Sequence, residues 1–177
     1  MPVNKCVFLD RDGVLNEEIN DYVYSLDKLI IPKGMPEAIA MLKQAGYLLV
    51  VVTNQAGIAK GLYRKQEVQA CHQKIQEACG HLIDALYYCP YHPKFDSESL
   101  LRKPGSLMLE KAAARFNIDI TLSWMVGDRQ RDIEAGQKVG AGTVFIEGAG
   151  TGETHTADYV AKDLWEAAQL IVSKQKR

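Results

Sequence analysis

The chain has 177 residues, 47% of them hydrophobic and 24% charged, with a formal net charge of −1 at pH 7; residues 1–177 read as a single globular domain able to bury its own core. A near-neutral balance gives no footing for nucleic acid or an anionic membrane, and no apolar run approaches the roughly 20 residues that cross a bilayer. No signal-peptide succession opens the chain, and Cys6, Cys71, Cys79 and Cys89 lack framework spacing, so a reduced cytoplasmic monomer is expected.

Short apolar runs alternate with helical patterns, which predicts an α/β fold around a parallel sheet. The first strand is Cys6-Val7-Phe8-Leu9, ending at Asp10. A helix follows Pro36-Glu37, with Ile39, Leu42 and Ala45 at helical spacing and Gly46 closing it. The second strand, 47–52, is almost wholly apolar and ends at Thr53, the pattern of a strand buried on both faces. The next helix spans 65–79, with Val68, Cys71, Ile75 and Cys79 on one face; core packing is the expected role of both cysteines. A short third strand at 85–88 precedes a helix after Pro104 that carries Leu109, Ala112 and Phe116. The fourth strand is Trp124-Met125-Val126, stopped by Gly127-Asp128, and its helix runs over 131–139 up to Gly140. The fifth strand covers 143–146. The last helix starts at Asp163, with Glu166 three residues on as in a capping box, and the basic end at 173–177 reads as a solvated terminus.

In open parallel sheets, chemistry collects beyond the carboxyl ends of the strands, and the polar residues of this chain collect there. Asp10-Arg11-Asp12-Gly13 closes the first strand. Two carboxylates so close repel unless compensated, and Mg²⁺ would compensate them through hard oxygen donors; the same residues could simply form an Asp-rich turn. Thr53-Asn54-Gln55 closes the second strand with a hydroxyl and two amides, suited to phosphate oxygens or to an ordinary turn. Arg102-Lys103-Pro104 puts a lysine before the third helix, either at the mouth of a site or in solvent. Asp128 and Asp132 stand four apart where the fourth helix begins, one placed to hold a metal and one to support it, although acidic residues also cap helices there. Taken together in chain order, these residues supply nucleophile, acid, hydroxyl, cation and metal ligand.

This order, D-x-D, then Thr, then Lys, then G-D-x-x-x-D, resembles the haloacid dehalogenase superfamily of phosphotransferases over essentially the whole chain. The resemblance implies a Rossmann-like three-layer sandwich with no large cap domain. It implies Asp10 as a nucleophile that becomes phosphorylated, and Asp12 as general acid and then base. Thr53 and Lys103 would bind phosphate, and Mg²⁺ would be held by Asp10, the backbone carbonyl of Asp12, and Asp128. Further motifs, among them Thr53-Asn54-Gln55-Ala56-Gly57-Ile58-Ala59, Gly61-Leu62-Tyr63 and Cys89-Pro90-Tyr91-His92-Pro93, resemble the branch of heptose bisphosphate and histidinol-phosphate phosphatases. That likeness implies a small phosphorylated metabolite as substrate, with the C7 phosphate of a heptose bisphosphate ahead of histidinol phosphate and other sugar phosphates. It places the reaction on the route to activated heptose for surface polysaccharide. It also implies Asn54, Gln55 and Arg102 as substrate contacts, with Arg102 suited to a second phosphate.

Members of this branch often hold a structural zinc through C-x-H followed by C-x-C. Here Tyr91 takes the place of the histidine, and Leu100 and Leu101 stand where the later cysteines would be. Cys89 and the out-of-register His92 cannot close a tetrahedral site, so no zinc is expected and both residues are expected to be structural. The loop at 94–101 is then expected to hold itself by packing. Whether Arg11, Lys60 or Arg129 meets the substrate is open at this level, with surface roles equally expected.

Overall fold

A computed structural model describes residues 3–174. Six strands form one parallel sheet: β1 (Lys5–Leu9), β2 (Tyr47–Asn54), β3 (Ala85–Cys89), β4 (Trp124–Gly127), β5 (Gly142–Ile146) and β6 (Tyr159–Ala161), in spatial order β3-β2-β1-β4-β5-β6. Five helices, α1 (Met35–Gln44), α2 (Lys65–Ala78), α3 (Leu107–Phe116), α4 (Gln130–Val139) and α5 (Leu164–Ser173), complete the three layers.

The layers follow from strand pleating, which sends successive side chains to opposite faces. Val7, Leu9, Leu49, Val51, Val126 and Val144 join one core with residues of α1, α2 and α5. Cys6, Phe8, Val50, Val52 and Met125 join the other with Met108, Leu109 and Ala112 of α3 and Ala135 of α4. Each fully buried aliphatic or Phe side chain contributes roughly 1.5–3 kcal/mol relative to exposure, which is why β1 and β2, apolar on both faces, can only be central strands. Cys71 and Cys79 are both buried in the first of these cores, as their helical spacing predicts.

The predicted helices are present with small shifts at their ends. Gly140 closes α4 in the left-handed region at φ 85°. At α5 the expected box forms only in part: Asp163 accepts from Glu166 N at 2.9 Å, while the Glu166 carboxylate reaches past the cap to Lys162 N at 2.7 Å. The strand β6 has no counterpart among the five predicted strands. It is three residues long on the sheet edge, its Val160 is exposed, and only Ala161 is deeply buried.

The order of the sheet reverses at β1, so the crevice lies above the carboxyl ends of β1, β2 and β4. Register aligns those ends, with Leu9 opposite Val51 on one side and Val126 on the other. The connections at 10–34, 55–64 and 90–106 lie between the elements that flank this crevice, and none builds a separate cap. Among the described residues no helix is long and apolar enough to cross a membrane.

Candidate active site

Asp10 is the first residue past β1, and its backbone N–H donates to Val126 O of β4 at 3.0 Å, which fixes it at the fork between the two strands. Asp128 follows β4 directly. Thr53 lies in β2, and Lys103 arrives from the loop before α3. The lysine is held there by Asn54, whose amide donates to Lys103 O and accepts from Lys103 N, each at 3.0 Å. The Lys103 ammonium donates to Asp10 Oδ1 at 2.9 Å and to Val52 O at 2.7 Å, and pairs with Asp132 Oδ1 at 2.7 Å. Burial alone would lower its pKa, but Asp10 and Asp132 outweigh burial and hold it above the ordinary lysine value. The group therefore stays cationic.

Asp10, Asp128 and Asp132 each offer an oxygen within 4.8 Å of the others. Asp132 is engaged by Lys103 and by the Arg129 backbone N–H, which donates to it at 3.0 Å. Among the described residues Asp128 Oδ2 is buried and accepts no hydrogen bond, and the Arg129 guanidinium approaches it at 3.6 Å. Burial, then Asp10 and Asp132, push the Asp128 carboxyl up to about 8. A buried, unsatisfied carboxylate oxygen beside a second carboxylate fits a hard divalent cation. Gly13 makes room for this arrangement: its φ is +80°, and a Cβ there would lie 2.4 Å from Asp128 Oδ2.

Asp12 faces the crevice with its side chain 29% exposed. Arg11, Asn16 and Gln55 all donate to its carboxylate. The Thr53 hydroxyl accepts from Gln55 Nε2 at 2.9 Å, which leaves its own proton free to donate. Asp10, Asp12, Lys103, Asp128, Arg102 and Arg131 line a shared cavity of about 400 Å³. Among the described residues neither Arg102 nor Arg131 is paired with a carboxylate; burial and then Arg131 lower the Arg102 pKa.

Several sequence expectations change at this level. Asn54 and Gln55 line the cavity, but their amides serve the protein: Asn54 clamps Lys103, and Gln55 is occupied by Tyr63, Thr53 and Asp12. Arg11 is not a surface residue; it is 1% exposed and donates to Val23 O at 2.7 Å, a carbonyl twelve residues away. Arg129 ties three segments together, meeting Glu18 and Glu153 at 3.2 Å each as well as Asp128. Lys60 sits 5.1 Å from the ring centroids of both Tyr22 and Phe95. The loop at 94–101 is held by packing only at Leu101, which lies against the core; elsewhere Asp96 accepts from His92 N and Ser97 N, while Phe95 and Leu100 are 54% and 76% exposed. Cys89 is buried with its thiol directed at Tyr91 O, and His92 Nδ1 accepts from Lys94 N. Arg131 had no role assigned from the sequence, and Tyr63 entered only as the last residue of the Gly61-Leu62-Tyr63 motif. The available signal for Arg131 was its place in the first turn of the helix that opens beside the crevice.

Comparison with known proteins agrees with this geometry. A family model described as HAD-hydrolase-like matches residues 100–167. The chain is 37% identical to the D-glycero-beta-D-manno-heptose-1,7-bisphosphate 7-phosphatase of Haemophilus ducreyi, over 87% of each chain. It is also 37% identical to the corresponding alpha-named enzyme of Burkholderia mallei, over 81% of this chain and 79% of that one. Among solved structures, the D,D-heptose 1,7-bisphosphate phosphatase of B. bronchiseptica, complexed with magnesium and phosphate, superposes with a TM-score of 0.84 at 32% identity, over 96% of this chain and 99% of the other. The chain therefore belongs to the haloacid-dehalogenase-like hydrolases, as one of their phosphatases.

Proposed function

We propose that the protein removes the C7 phosphate of D-glycero-D-manno-heptose 1,7-bisphosphate by way of a phosphorylated Asp10. One observation carries this beyond the family: a cavity floored by Asp10 and Lys103 is walled by two guanidinium groups, Arg102 and Arg131, that have no carboxylate partner among the described residues. Two guanidinium groups without carboxylate partners, lining a cavity of about 400 Å³, suit a substrate with a second anionic group, and a guanidinium fork binds phosphate bidentately. The relatives named above act, by their names, on such a bisphosphate.

In this reading Asp10 attacks phosphorus while Lys103 and the Thr53 hydroxyl bind phosphoryl oxygens. Asp12 gives its proton to the departing sugar oxygen, and the resulting carboxylate then takes a proton from the water that attacks the phosphorylated Asp10. Inorganic phosphate leaves, and both aspartates return to their starting states. Asp10, the Asp12 carbonyl and Asp128 would hold Mg²⁺, which supplies charge stabilisation for the transferring phosphoryl group. Asp132 holds Lys103 ionised and in place. Cys89 and His92 stay structural without zinc, so elemental analysis of the purified protein should give well under one zinc per chain.

The test is phosphate release in Mg²⁺ from both anomers of the heptose bisphosphate and from histidinol phosphate. Preference for a heptose bisphosphate, abolished by chelator, is expected. Preference for histidinol phosphate would overturn the substrate assignment, and no release from any of them would overturn the catalytic reading.

A further inference from the structure

The carboxylate of Asp12 is fastened from two sides. On one side the buried Arg11 donates to Oδ1 from Nε at 3.2 Å and from Nη2 at 2.9 Å, and Asn16 Nδ2 donates to the same oxygen at 3.0 Å. On the other, Oδ2 accepts from Arg11 Nη2 at 3.3 Å and from Gln55 Nε2 at 3.4 Å, and Gln55 Nε2 also donates to Thr53 Oγ1 at 2.9 Å. The far end of that amide is fixed by Tyr63, whose hydroxyl donates to Gln55 Oε1 at 2.6 Å. Gln55 is 2% exposed and Tyr63 7%. The tyrosine has little freedom of its own. It stacks on Tyr24 with centroids 5.4 Å apart, and a Cβ at Gly57 would lie 2.0 Å from its Cε1.

The orientation of this amide matters. Reversed, Gln55 would turn its oxygen toward the Asp12 carboxylate, setting acceptor against acceptor, and would draw the Thr53 proton to itself. The Asp12 carboxylate, which only accepts, selects the other orientation, in which the two N–H donors of one side chain address Asp12 and Thr53 together and the Tyr63 hydroxyl, donating to Oε1, anchors the far end of the amide. The hydrogen bond from Tyr63, whose ring is packed in place, ties down the end of the amide that does not meet Asp12.

We infer that Tyr63 and Gln55 are positioning residues for catalysis: the Tyr63 hydroxyl locks the Gln55 amide, and the amide sets Asp12 and the Thr53 hydroxyl in the geometry needed for proton transfer and phosphoryl binding. This rests on the reading of Asp12 as general acid given above. It places one determinant of acid alignment, beside Arg11 and Asn16, in the loop before α2, at a site over which the described residues build no large cap.

The experiment separates alignment of the acid from general loss of structure through the leaving group. Phenyl phosphate needs its departing oxygen protonated more than 4-nitrophenyl phosphate does, so a misplaced acid slows the first selectively. With the Mg²⁺-loaded enzyme, kcat/KM is measured on both esters for wild type, Tyr63→Phe, Gln55→Met and Asp12→Asn. General acid catalysis contributes about 10²–10⁴-fold and small misplacements forfeit part of it; Tyr63→Phe and Gln55→Met should therefore lose roughly fivefold or more on phenyl phosphate and less than about twofold on 4-nitrophenyl phosphate. Added to Asp12→Asn, Tyr63→Phe should cost nothing further on the ratio of the two esters. Equal losses on both esters in Tyr63→Phe and Gln55→Met, or a change in KM alone, would overturn the inference while leaving Asp12 its role. If Asp12→Asn itself leaves the ratio unchanged, the acid assignment falls, and the inference with it. Tyr63→Phe keeps the ring and its stacking, so a folding failure in Gln55→Met does not remove the test.

Discussion

Replacing Asp128 with asparagine should stabilise the metal-free protein and remove its response to Mg²⁺. The carboxyl is 1% exposed, and burial with Asp10 and Asp132 close by raises it from an ordinary 3.8 to about 8. In the unfolded chain this group ionises above pH 4, whereas in the native metal-free protein it keeps its proton to about pH 8. The native state therefore binds more protons between those values, and stability falls as pH rises through the window. At about 1.4 kcal/mol per unit, the full shift amounts to roughly 4 kcal/mol at pH 7. The repulsion is shared with Asp10 and Asp132, and the new amide must find hydrogen bonds of its own, so a net gain of about 2 kcal/mol is the working figure. For a chain of this size that is a rise in Tm of about 4–8 °C. Urea denaturation of Asp128→Asn and wild type, in chelator at pH 5, 6.5 and 8, reads the effect directly. The advantage of the variant should grow with pH, and excess Mg²⁺ should reverse the order by stabilising wild type alone. A variant less stable than wild type at pH 8 in chelator, or an advantage independent of pH, would refute the electrostatic account of the site.

Two other perturbations address how the site is held and what it selects. Asn54→Ala removes both hydrogen bonds to the Lys103 backbone, each worth about 1 kcal/mol; kcat should drop about tenfold or more through a displaced Lys103, with Tm lowered by a few degrees, and unchanged kcat in steady-state assays would show that the clamp is dispensable. Arg102→Ala and Arg131→Ala should each lower kcat/KM on a bisphosphate about tenfold or more, as expected for a lost charge-assisted contact, while the same sugar with a single phosphate changes little; parallel losses on both substrates would argue against a second-phosphate seat.

The positions of Asp10, Thr53 and Asp128 were legible because each stands where an apolar strand gives way to polar residues, and the parallel sheet aligns those ends. Lys103 was legible in sequence order, but not the reason it reaches the site, since its clamp comes from Asn54, 49 residues earlier. The amides of Asn54 and Gln55 show the limit most clearly. Their presence at the end of β2 marks the site, yet which atoms face the cavity depends on Lys103 and Tyr63, which arrive from other segments. Arg11 was open for the same reason: it lies next to Asp10 in sequence, and the return of the chain at Val23 is what buries it. The strand β6 was missed because three residues carry no periodicity. The loop at 94–101 was expected to hold itself by packing; Leu101 does pack on the core, but Phe95 and Leu100 are exposed and a turn is held by Asp96.

The central claim is that Asp10 carries the phosphoryl group. It is tested most directly by acid-quenching the protein within a single turnover of phosphate-labelled substrate in Mg²⁺ and mapping the label by mass spectrometry. One phosphoryl group on Asp10 is predicted, absent in Asp10→Asn and in chelator. Label on another residue, or turnover that persists undiminished in Asp10→Asn, would contradict the account.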